Sequence, residues 1–239
     1  MILFALVAVP LTCYIALRFT GDRVELLGPL VRGALWYVVG LAAAFLSGLL
    51  MDLRYTASDA YLFFVLRDGY IPYLLGLAGF FLFYHRLALR DDRAMIPVMT
   101  VFLAAFLSVA AVAEIVLDTS FRGAYQTVLL PSHRATMTVL VPVLFGAWMR
   151  EGRLPLRALY TLLIAGLPAA VAVTPLLLSL RYTGYGILAG ILLAAAGVAG
   201  YLLLRTAYYP DRGFSSVVAE AVSVHTTGDR SVHTDEPVH

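Results

Sequence analysis

Lysine does not occur in this chain. All 17 basic residues are arginine, so chemistry built on a lysine amine, a retinal Schiff base included, is excluded. Cysteine is almost as scarce. Cys13 is the single one, set in an apolar run, and an intrachain disulfide is impossible. Charge is thin as well: 13% of the 239 residues are charged, against roughly 25% in a typical soluble domain. A net charge of +2 offers nothing for a nucleic acid to bind. No HExxH, CxxC, P-loop, GxGxxG in a usable setting or DxxxD pair is present. Those absences argue against zinc hydrolysis, redox metals and nucleotide binding, and no metal or cofactor is expected.

What the chain has instead is apolar length. Hydrophobic residues make up 61% of it, and the mean hydropathy is +0.86. A spanning helix needs roughly 20 mostly apolar residues, so the chain has room for about seven with short loops. The expected spans are 1–17, 30–51, 70–88, 95–117, 135–149, 156–180 and 184–205. The first run lacks the basic start and small-residue cleavage site of a signal peptide and reads as a retained helix. The stretch MDLRYTASDAYLFFVLRDGY between the second and third runs is mixed, and reads as interfacial, with a short surface helix. Gly40, Ala44 and Gly48 share one face of the second run, where small residues let helices approach closely. The expected fold class is therefore an all-α integral membrane bundle over 1–206. A polar tail without apolar period, 207–239, is expected to be disordered.

Arginine placement orients the bundle. With the N-terminus outside, seven helices leave the C-terminus in the cytoplasm. The inner side then holds ten arginines (18, 23, 32, 86, 90, 93, 150, 153, 157 and 205) before the tail. The outer side holds five, at 54, 67, 122, 134 and 181. The positive-inside bias fits this orientation, in what would be the cytoplasmic membrane.

The segment AFLSVAAVAEIVLD carries two carboxylates, Glu114 and Asp118, four residues apart on one helix face. Asp52, Asp59, Asp68, Arg67, Arg122, His133, Arg134 and Arg181 fall on the same outer side. Glu114, Asp118, Asp52 and His133 are the candidates for chemistry. Arg67, Asp68, Arg122, Arg134 and Arg181 are the candidates for ligand binding. The plainer account is helix-end solvation and structural ion pairing with a tyrosine belt, and it carries the greater weight. His85 and His133 fall on opposite sides and cannot share a metal. Ser132 and His133 point about 100° apart on a helix, which is poor geometry for a nucleophile and its base. Arg32, in the inner half of the second run, can snorkel to the cytoplasmic surface. Pro168 and Pro175 are expected to kink the sixth run.

LAAAFLSGLLMD at 41–52 and LLGLAGFFLFYH at 74–85 resemble, over that stretch alone, the lysoplasmalogenase-type family of multi-helix membrane enzymes. There a small-residue run ends in Gly-Asp and a Gly-aromatic run ends in His. The resemblance implies Asp52 and His85 as the matching positions. Met51 stands where that pattern has Gly, and no later Ser-Asp motif follows, so membership is not inferred.

Three readings of function follow. The first is a non-catalytic sensor, accessory subunit or scaffold, with a membrane protein or a second copy as partner. The second is an enzyme or binder acting on a lipid or small amphiphile through the outer carboxylate and arginine cluster. The third, ranked last, is a small-solute transporter, which would want an inverted repeat and polar groups at mid-membrane.

Overall fold

The apolar runs of the sequence become helices. In the computed structural model, the described residues are 2–20, 26–50, 65–90, 92–117 and 129–179, with further single positions between 184 and 202. Helix α1 spans Ile2–Thr20 and α2 spans Leu27–Leu50. A single π turn, Val65–Tyr70, leads directly into α3, Ile71–Arg90. Then come α4 (Asp92–Leu117), α5 (Leu130–Arg150) and α6 (Leu154–Ser179). The described positions between 184 and 202, in the seventh apolar run, are all helical. No strand occurs among the described residues. The expected tail, 207–239, lies outside them.

Helix α4 is the centre. It packs against α1, α2, α3 and α5, and α6 packs on α5 and on the π turn. From Met95 to Leu107 its residues are buried on nearly every side. Met95–Ala113 is the one stretch among the described residues long and apolar enough to cross a membrane, and most of it is buried within the bundle. The other helices contribute shorter apolar stretches, including Leu6–Leu17, Leu27–Ala42, Ile71–His85 and Leu154–Ala169. Phe80, Phe102, Met95, Met99 and Val141 form one core cluster, and Val9, Cys13, Phe106, Ala110 and Ala135 contribute to a second.

Two glycines set how closely the central helices approach. A Cβ on Gly33 of α2 would collide with the Phe102 carbonyl oxygen of α4, so the two backbones touch there. A Cβ on Gly79 of α3 would collide with the indole of Trp36. The open space lets Trp36 Nε1 donate to the Leu75 carbonyl at 2.8 Å. That carbonyl already belongs to the α3 ladder, and its second lone pair takes the indole. Gly40, expected on the α2 packing face, does meet Phe106 of α4. The side chains of Ala44 and Gly48 lie outside the described residues.

Four threonine hydroxyls are satisfied within their own helices. Thr12, Thr100, Thr136 and Thr138 each donate to the carbonyl four residues back, at 2.7–3.0 Å. In a low-dielectric interior this removes the cost of an unpaired hydroxyl without recruiting another helix.

Candidate functional site

The candidates expected on the outer side meet the described structure where the π turn, α3, α4, α5 and α6 converge. Pro168 is the local cause. It lies inside α6 and has no N–H, so the carbonyl of Ile164, four residues earlier, loses its helical donor. The turn brings two tyrosines to that gap. Tyr73 Oη donates to the Ile164 carbonyl at 3.4 Å. Tyr70 Oη donates to the adjacent Ala165 carbonyl at 2.7 Å. Gly69 makes the approach possible, because a Cβ there would lie 2.5 Å from the Pro168 carbonyl oxygen. The proline expected to kink α6 therefore also docks another element onto it. The sequence suggested only a tyrosine belt; the Tyr70 and Tyr73 hydroxyls bind backbone 95 and 91 residues away.

Beside this junction lies a small cavity of about 20 Å³, lined by Gly69, Tyr73, Leu103, Leu107, Arg134 and Met137 among others. Arg134 is 4% exposed and His133 1% exposed. Helix α5 begins at Leu130, with Pro131 in its first turn, so both residues fall in the opening turns of the helix. The sequence put His133 at an interface; the bundle buries it among the helices. Thr138, also fully buried, returns its hydroxyl to the Arg134 carbonyl at 2.7 Å. A cavity of this size holds roughly one water, whereas a pocket for a small-molecule ligand runs to about 300 Å³ or more.

The remaining candidates divide by position. Arg67 and Asp68 belong to the π turn, next to Gly69, and Glu114 lies in the last turn of α4; their side chains are outside the described set. Leu103 and Leu107, four residues apart on α4, line the cavity, and Glu114 stands seven residues further along the same helix. Asp52, Asp59, Asp118, Arg122 and Arg181 lie outside the described residues altogether. His85 stands exposed near the end of α3. Among the described residues no group of three His, Cys, Asp or Glu side chains could hold a metal ion.

No protein-family model, no curated protein and no solved structure matches this chain at a significant level. The partial resemblance through Asp52 and His85 is thus carried by no family match. What the chain does has to be argued from its own residues.

A second constellation, of which the sequence alone marks only the arginines, stands at the opposite end of α5. Helices α5 and α6 are joined by residues 151–153 alone. Glu151 N–H donates to the Ala147 carbonyl at 3.0 Å, which closes α5. Arg153 N–H donates to Glu151 Oε1 at 2.9 Å, which shapes the turn. Trp148 stacks on Phe145, with ring centroids 5.5 Å apart. Its Nε1 donates to Thr161 Oγ1 at 3.0 Å, and Thr161 donates in turn to the Arg157 carbonyl at 2.9 Å. The Arg157 guanidinium carbon sits 4.2 Å from the centroid of the Trp148 ring. The signal for this hairpin was present in the WMREGRLPLR sequence: a tryptophan followed by three arginines between two apolar runs.

Proposed function

We propose that the chain is a multi-pass integral membrane protein that acts as a non-catalytic scaffold or accessory subunit. The observation that carries the membrane part is the direction in which its apolar side chains point. Leu3 and Leu11 on α1, Leu35 and Val38 on α2, and Leu154 and Leu162 on α6 are all exposed, Leu154 at 82%. These residues recur along the outer faces of three helices, while Thr100, His133, Arg134 and Thr138 are inside. A monomer in water rarely exposes apolar area on that scale. In a bilayer the same faces meet acyl chains. At 1.5 Å per residue the six helices α1–α6 reach about 28–39 Å, close to the roughly 30 Å of a hydrocarbon core.

Seven spans, N-terminus outside, C-terminus in the cytoplasm and residence in the cytoplasmic membrane complete this reading. It is supported by the arginine bias and by the order of the helices. The non-catalytic part is supported by the filled junction around Arg134: tyrosine hydroxyls are committed to α6, threonine hydroxyls to their own helices, and the cavity admits about one water. The partner class is a membrane protein or a second copy.

One observation favours the amphiphile-binding alternative. The cavity beside Arg134 adjoins the turn that carries Arg67 and Asp68, and α4, the helix that carries Glu114. The two readings part in one experiment. The chain is extracted from its native membrane in a mild detergent, and native mass spectrometry is run on it and on Glu114→Gln. A stoichiometric protein partner retained by both supports the scaffold reading. A stoichiometric small molecule or outer-leaflet lipid, lost in Glu114→Gln, overturns it in favour of the binder. Recovery of the chain in the soluble fraction before extraction sinks the membrane reading itself.

A further inference from the structure

From the α5–α6 hairpin we infer a second binding surface: a seat for the headgroup of an anionic phospholipid in the cytoplasmic leaflet. The inference rests on the membrane reading given above.

Within residues 150–157 stand three arginines and one glutamate. Arg150, Arg153 and Arg157 are all exposed. The single carboxylate is engaged by the loop itself, since Glu151 Oε1 accepts the Arg153 N–H at 2.9 Å. The hairpin therefore presents a net positive edge. Arg157 is also held in place: its guanidinium lies 4.2 Å over the Trp148 ring, and Trp148 is fixed by its stack on Phe145 and its bond to Thr161. A guanidinium held over an aromatic face still has N–H donors, the groups that grip a phosphate.

The occupant is a lipid because of what continues from the charged edge. Leu154 is exposed between Arg153 and Arg157, and Leu159, Leu162 and Leu163 are exposed along α6 beyond them. A molecule whose phosphate meets Arg153 and Arg157 can run its acyl chains down that apolar face. A soluble phosphate would leave the face uncovered. Tryptophan at the boundary between the two is the interfacial residue such a position favours. The hairpin falls on the arginine-rich side, where anionic lipids concentrate and each nearby basic residue adds attraction.

Trp36 and Trp148 are the two tryptophans of the chain, which makes the site readable by fluorescence. The full chain carrying Trp36→Phe is reconstituted with brominated phosphatidylcholine or brominated phosphatidylglycerol diluted into unbrominated phosphatidylcholine. Quenching of Trp148 then reports lipid occupancy. The expected result is a preference for the anionic lipid of roughly fivefold or more, falling toward one in Arg150→Gln/Arg153→Gln, a variant that leaves the Arg157–Trp148 stack in place. Equal quenching by both lipids, or a preference that survives this variant, overturns the proposal. So does reversal of the quenching by excess inorganic phosphate, which would mark a site for a soluble anion. Absence of quenching by either lipid is a different failure, that of the membrane reading. Because Trp36 bonds to α3, the replacement can unsettle the fold. Native mass spectrometry of the chain with both tryptophans, released from nanodiscs of equal phosphatidylcholine and phosphatidylglycerol, therefore runs in parallel. It is expected to show phosphatidylglycerol enriched in the bound lipid, and to lose that enrichment in Arg150→Gln/Arg153→Gln. Bound lipid in the proportions of the nanodisc overturns the proposal.

Discussion

Tyr70 and Gly79 each do a job that their side chains alone would not suggest. Tyr70 donates at 2.7 Å to the Ala165 carbonyl, beside the carbonyl that Pro168 strips of its donor. Loss of one such hydroxyl is expected to cost about 1 kcal/mol. Tyr70→Phe should therefore lower the thermal midpoint of the detergent-solubilised chain, followed by far-ultraviolet circular dichroism, while leaving helix content unchanged. An unchanged midpoint would remove Tyr70 from the account of this junction. Gly79 is a steric matter. A methyl group there meets the indole of Trp36, which has little room to move while it donates to the Leu75 carbonyl. Gly79→Ala is expected to destabilise by about 1–3 kcal/mol, the usual penalty for overfilling a packed interior. It should also shift Trp36 emission, because the indole loses its bond. Gly166, whose Cβ position is open on all sides, is the control, and Gly166→Ala should be neutral or slightly stabilising.

At the scale of elements, Pro168 makes α6 dependent on the π turn. An uninterrupted helix would bond the Ile164 carbonyl to an N–H at position 168, whereas this one turns to Tyr73 on another element. Pro168→Ala restores that N–H. In the Pro168→Ala background, Tyr73→Phe should cost less than in the parent chain, with a coupling of at least about 0.5 kcal/mol for residues that act on one shared carbonyl. A double-mutant cycle on the thermal midpoints measures it, and strict additivity would refute the link. The same junction shows what was legible in the sequence. Pro168 was expected to kink its run, and Tyr73 to belong to an interfacial belt. Their relation was not, because a bond between residues 91 positions apart depends on the crossing of two helices and leaves no periodic trace. The α2–α4 contact is similar. Gly40 could be placed on a packing face by its spacing, while Gly33, where the α2 backbone meets that of α4, belongs to no such spacing.

For the molecule as a whole, the proposed orientation is testable with what the chain lacks. Cys13 is the one cysteine, so Cys13→Ser gives a cysteine-free background. Gly152 sits in the exposed 151–153 turn with nothing within 4 Å of a Cβ. Gly152→Cys in that background should react with a membrane-impermeant maleimide in inverted vesicles and stay unlabelled in intact cells. Labelling from outside would reverse the orientation and would move the anionic-lipid seat to the other leaflet.

Composition and apolar spacing alone show that the chain makes helices along nearly its whole described length, and roughly where those helices begin and end. Composition and proline, glycine and arginine positions act locally, and local effects can be read along a chain. The sequence also makes lysine chemistry and an internal disulfide impossible. Only the tertiary structure decided that α4 is the enclosed helix and α6 a peripheral one, since both are similarly apolar and length alone does not rank them. Only the tertiary structure buried His133 and Arg134 beside a cavity of one-water size, and set Arg157 on Trp148. Burial and stacking depend on which faces of distant helices meet, and that is settled by packing between elements.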